Sequence, residues 1–121
     1  MMLKHILLVG LGGAAGSMLR FGVSQWMRST HFPWATFAVN IAGSFLIGLV
    51  FALSLRHASF EQQWRLFLAS GICGGFTTFS AFSLEGITLL QQQKIGLYVL
   101  YVAGSVLLGL AATWLGYTLA K

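Results

Sequence analysis

Gly71-Ile72-Cys73-Gly74-Gly75-Phe76-Thr77-Thr78-Phe79-Ser80-Ala81-Phe82-Ser83 places three glycines, four hydroxyls and three phenylalanines inside a segment otherwise apolar enough to cross a membrane. Lipid offers backbone N–H and C=O groups no hydrogen-bond partner, so a helix that breaks at such a place is tolerated only against protein or a wet, ion-accessible cavity. The stretch therefore predicts a broken membrane helix with an ion site at the break.

The surrounding chain supplies the membrane context. Of 121 residues, 57% are hydrophobic and 7% charged, and the mean hydropathy is +0.82. A chain of that composition cannot surround a water-soluble core with polar surface. Membrane helices need about 20 mostly apolar residues, whereas barrel strands need about 10 that alternate. The runs here are long and do not alternate, so an all-α integral membrane protein is expected. Four spans are predicted, at about 3–27, 34–55, 66–90 and 95–120, in a single transmembrane domain. Pro33 stands just before the uncharged second span, where a helix start tolerates proline. Trp114 and Tyr117 lie near the end of the fourth span as interfacial aromatics. Lys4 before an apolar run suggests a signal peptide, but that run continues as a span through Arg20, with three more spans behind it.

A bundle this small is not expected to enclose a pathway alone, which predicts a homo-oligomer. Lys4, Arg56, Arg65 and Lys121 fall on the side of the termini, and Arg28 and Lys94 fall opposite, joined by Arg20 if it snorkels outward. So weak a bias lets the chain insert both ways. Two opposed copies pair naturally about a twofold axis in the membrane plane, giving an antiparallel, dual-topology dimer. The net charge of +5 is spread over loops and forms no basic patch, so no nucleic-acid partner is expected.

Small residues recur every four positions in Gly12 and Gly16, Gly71 and Gly75, and Ser105, Gly109 and Thr113. Such spacing permits close backbone approach between membrane helices. The Gly10–Gly16 run lacks the strand and spacing of a dinucleotide loop. With no Asp and only Glu61 and Glu85 as acids, paired-carboxylate catalysis and hard-metal cages lack ligands, and no enzyme is expected. His5, His31 and His57 sit near span ends, and the single Cys73 reads as a buried thiol.

What remains is polar chemistry at membrane depth. Phe76, Phe79 and Phe82 share a face if that part is helical. They either pack, or turn their positive ring edges toward a small anion. Asn40, midway along the second span, either bridges helices or presents N–H donors to a passing anion. Carbonyls freed around Gly74, Gly75, Thr77 and Thr78 would suit a bare cation such as sodium when two chains face each other.

These residues carry a resemblance over nearly the whole chain. Gly12-Gly13-Ala14-Ala15-Gly16-Ser17-Met18-Leu19-Arg20-Phe21, Asn40-Ile41-Ala42-Gly43-Ser44-Phe45-Leu46-Ile47-Gly48 and Gly71 through Glu85 resemble the three signatures of the Fluc (CrcB) family of small fluoride channels. The resemblance implies an antiparallel homodimer in the cell (inner) membrane, with two pores lined by both subunits and a structural sodium ion on the central axis. It places Asn40, Phe79 and Phe82 in the pore lining, Ser80 and Thr113 on a polar track, and the Gly74 and Thr77 carbonyls at sodium. Arg20 and Glu85 match charged positions near the fluoride pathway, and each could instead be structural. Ala81 stands where the family usually has threonine, which removes a hydroxyl from the track, and Ser17 replaces a commoner alanine. The alternative class is a small multidrug-type proton-coupled antiporter. That class needs a carboxylate deep in its first span, and here the only candidate is Glu85 in the third.

Overall fold

The computed structural model describes residues 2–28, 32–57 and 62–121. His31 and Glu61 fall outside the described residues, as do the loop tips around them. The regular elements of the described chain are helices: α1 (Met2–Trp26), α2 (Trp34–Arg56), α3 (Gln62–Arg65), a π-helical segment (Leu66–Cys73), α4 (Gly74–Phe76), α5 (Phe79–Gln91) and α6 (Ile95–Ala120). Among the described residues four helical stretches are long and apolar enough to cross a membrane: Met2–Trp26, Trp34–Arg56, Gln63–Gln91 and Ile95–Ala120. The chain is thus a multi-pass membrane protein.

Each end has a local cause. Pro33 precedes α2 and gives its carbonyl to the Phe37 N–H at 3.1 Å. At the other end Arg56 occupies the last turn, where a cation complements the helix dipole. The turn between α5 and α6 is tight because Gln93 adopts a left-handed conformation, with φ 58°. Gln93 N–H then reaches the Leu90 carbonyl and Lys94 N–H the Leu89 carbonyl, each at 2.9 Å. This is the hydrogen-bond pair of a Schellman cap, made here without the usual glycine.

Glycines set the helix pairing. A side chain at Gly71 would stand 2.9 Å from the Gly12 Cα, and one at Gly75 would stand 2.9 Å from the Gly13 Cα. The contacts climb together along both chains, so α1 runs parallel to the third span. In the same way Gly104 faces the Phe37 ring, Gly109 faces Ser44 and Gly48 lies on the Thr113 carbonyl, which makes α2 and α6 a second parallel pair. Between membrane helices there is no hydrophobic drive, so such close packing supplies the attraction. The two pairs meet at an aromatic cluster of Phe32, Leu89 and the fully buried Tyr101, flanked by Phe37, Phe82, Leu97 and Tyr98. Large apolar side chains such as Leu7, Leu11, Met18, Leu107 and Leu110 point outward, as a lipid-facing surface requires.

The glycine contacts give a first expected result. Gly48→Ala should destabilise the protein by about 1–3 kcal/mol or more, because its Cβ meets backbone rather than a movable side chain. Gly22 has open space around it, and Gly22→Ala should be neutral or slightly stabilising, since alanine is the better helix former. Thermal unfolding of the two variants in detergent checks the contrast.

Candidate ion site

The site is assembled around two threonines. Thr77 (φ −86°, ψ 156°) and Thr78 (φ −151°, ψ 125°) have extended backbone between α4 and α5. Both are β-branched, and such residues favour extended conformations. Each N–H and C=O at this depth still needs a partner. The polar side chains nearby supply most of them.

Asn40, from the middle of α2, grips Thr78 on both sides. Its Oδ1 accepts the Thr78 N–H at 2.8 Å, and its Nδ2 donates to the Thr78 carbonyl at 3.0 Å. A backbone N–H only donates and a carbonyl only accepts, so this pair settles the orientation of the amide. Thr78 Oγ1 in turn caps α5 by accepting the Ala81 N–H at 3.1 Å, an ordinary role for threonine at a helix start. Thr77 Oγ1 donates to the Cys73 carbonyl at 2.8 Å, while its methyl group rests against Gly43.

These bonds redirect two donors. In a continuous helix the Thr78 N–H would bond the Gly74 carbonyl and the Ala81 N–H the Thr77 carbonyl. Here the first goes to Asn40 and the second to the Thr78 hydroxyl. The Gly74 and Thr77 carbonyls are thereby released. Oxygens freed from helical bonding are the ligands that suit a bare alkali cation at membrane depth, so the donor set fits sodium. The Gly75 carbonyl between them is occupied, because half-buried Arg20 on α1 donates to it from Nε at 3.1 Å.

A pocket of about 390 Å³ opens beside this link, lined by Asn40, Gly43, Ser44, Cys73, Gly74, Thr77, Thr78 and Phe79 among others. It brings together Asn40, Phe79, Gly74 and Thr77 from the sequence-based set. Phe79 is 78% exposed, and its ring lies 5.6 Å from that of Phe82, which in turn lies 5.0 Å from Tyr101. Ser80 is exposed and shares a hydrogen bond with the Thr78 hydroxyl at 3.3 Å. Thr113 donates to the carbonyl of Ser44, a lining residue, at 2.9 Å. No hydrogen bond joins Ser80 to Thr113 among the described residues of one chain.

Glu85 belongs to a second pocket, of about 410 Å³, with Ser24, Arg28, Phe32, Trp34, Thr36 and Gln92 in its wall. Its carboxylate accepts from Thr36 Oγ1 at 2.8 Å and from the Tyr101 hydroxyl at 3.2 Å. A charge inside a span costs about 2.5–3.5 kcal/mol on insertion scales, and the two hydroxyls offset part of that. Sequence reading missed Thr36 and Tyr101, which lie 49 and 16 residues from Glu85. It also missed the cap at Thr78, although threonine three residues before a free helical N–H is a recognisable N-terminal signal.

The fold and the site together define a multi-pass helical membrane protein whose polar groups gather at membrane depth. The chain matches the family described as CrcB-like protein, Camphor Resistance (CrcB), over residues 7–117, and it belongs to that family. It is 50% identical over 119 residues to a protein of Thermus thermophilus, covering 96% of this chain and 93% of the relative. It is 46% identical over 123 residues to one from Flavobacterium psychrophilum, covering 98% of each. A relative from Agrobacterium fabrum is 43% identical over 120 residues, covering 97% of this chain and 96% of the relative. All three carry the name fluoride-specific ion channel FluC. The family is one of ion channels, not of enzymes.

Proposed function

We propose that this chain is a fluoride-selective channel that exports fluoride passively across the cell membrane, the inner membrane where there are two. The observation that carries the reading is the pocket beside the Thr77–Thr78 link, where Asn40 and the exposed Phe79 ring stand at membrane depth. The names of the relatives supply the anion. Fluoride holds water more tightly than chloride, so a pore must replace its hydration with several weak donors while staying too narrow for the larger halide. Asn40 retains one amide N–H beyond the one given to Thr78, Ser80 offers a hydroxyl, and the Phe79 and Phe82 rings offer positive edges. Arg20, Glu85 and Thr113 complete the assigned pathway.

The working unit is an antiparallel, dual-topology homodimer. Its support is the near balance of cations on the two sides of the chain and a pocket that opens on the surface of one copy. In such a dimer the broken third helices face each other, and the Gly74 and Thr77 carbonyls of both copies would hold a structural sodium ion. When bound, that ion supplies the positive charge that keeps the facing carbonyls together. The proton-coupled antiporter gains nothing here, since α1 contains no carboxylate and Glu85 is engaged by two neutral hydroxyls.

Purified protein in liposomes loaded with fluoride tests the function. An ion-selective electrode should record rapid efflux once charge is compensated, with no proton gradient, and far slower efflux of chloride. Efflux that needs a proton gradient would overturn the reading. For topology, a cysteine added after Lys121 in a Cys73→Ser background should react with an impermeant maleimide in about half of the copies of intact cells, the share that random insertion gives. Labelling of all copies or of none would exclude two orientations.

A further inference from the structure

We propose that Thr78 is the positioning residue of the cation site: its hydroxyl holds the Thr77 carbonyl open by taking the one N–H that would otherwise close on it. The inference rests on the sodium reading above and assigns a task to a side chain outside the proposed ligand and pathway sets.

The Ala81 N–H lies four residues beyond Thr77 and is that carbonyl's ordinary helical partner. Thr78 Oγ1 accepts it at 3.1 Å. The same residue has its own N–H and carbonyl held by Asn40, so its backbone cannot turn helical without breaking both bonds. Its hydroxyl also meets Ser80 Oγ at 3.3 Å, which leaves it fully employed near the link. The released Thr77 carbonyl therefore depends on the Thr78 cap. Without the hydroxyl, the Ala81 N–H would be an unsatisfied donor at membrane depth, and the Thr77 carbonyl is the nearest group by sequence able to take it. The helix would then extend backward and withdraw a cation ligand.

Thr78→Val removes the hydroxyl and keeps the shape, while Thr78→Ser keeps the cap. The readout is the unfolding temperature of the purified protein as sodium replaces N-methylglucamine at constant ionic strength. A ligand bound only to the folded state raises that temperature once its concentration passes its Kd, as the logarithm of their ratio, and the sodium concentration at which the rise sets in serves as the midpoint. Wild type and Thr78→Ser should share one sodium midpoint. Thr78→Val should need about five- to tenfold more sodium, the scale of one lost cap. A merely structural role would lower the unfolding temperature by the same amount at every sodium concentration and leave the midpoint unmoved, which would overturn the inference while sodium binding stood. A wild type that does not respond to sodium would overturn the sodium reading, and this inference with it.

Discussion

Asn40→Asp should lower fluoride efflux by about a hundredfold. The amide is bonded to both backbone groups of Thr78, with Nδ2 at 3.0 Å from the carbonyl and Oδ1 at 2.8 Å from the N–H. Aspartate keeps the acceptor and replaces the donor with a second oxygen facing the Thr78 carbonyl. Loss of that bond to a buried group costs about 1–3 kcal/mol, and a carboxylate inside a span adds about 2.5–3.5 kcal/mol on insertion scales. The new charge would also repel the permeating anion. Initial efflux rates from liposomes check the size of the loss, and gel filtration of the variant shows whether the protein has stayed folded. Efflux at the wild-type rate from Asn40→Asp would remove Asn40 from the pathway.

Phe79→Ile combined with Phe82→Ile should abolish most of the efflux while leaving the fold in place. Phe79 is 78% exposed, so it contributes little to the core. Phe82 stacks obliquely between Phe79 and Tyr101 at 5.6 and 5.0 Å. Isoleucine keeps most of the apolar surface, and swaps of similar volume usually cost less than about 1.5 kcal/mol. What disappears is the positive ring edge that would face the anion. Two rings lost from one path should slow it by about tenfold or more, at 1.4 kcal/mol per factor of ten. The decisive comparison is efflux against unfolding temperature: a large fall in the first with a small fall in the second assigns the rings to conduction. Equal falls in both would make them packing.

The sequence shows why four apolar helices were expected. The second span has no charge from Trp34 to Leu55, and no soluble fold accommodates such a run beside three others. The glycines of α1 and of the third span repeat at four-residue intervals, and in the structure these positions meet: Gly12 lies on Gly71 and Gly16 beside Gly75. Gly109 and Thr113 likewise lie on the face of α6 toward α2, where a side chain at Gly109 would stand 3.6 Å from Ser44 Oγ and Gly48 abuts Thr113.

Other features depend on contacts that no local pattern encodes. From the sequence Asn40 either bridges helices or serves an anion, and only the position of α2 against Thr78 shows that half of its hydrogen-bonding capacity goes to the bridge. The π-helical segment Leu66–Cys73 has residues that would read equally well as an α-helix. The partners of Glu85 come from α2 and α6, so they become visible only once those helices are packed. Gln93 takes a left-handed conformation in a turn without glycine, where the hydrogen bonds of the cap outweigh its backbone preference.

The most direct measurement is the reversal potential of the purified protein in a planar bilayer under a fluoride gradient, with a proton gradient imposed in the opposite direction. Passive conduction of fluoride predicts reversal at the fluoride equilibrium potential, unmoved by the proton gradient. A reversal potential that follows the protons, or no fluoride current at all, would contradict it.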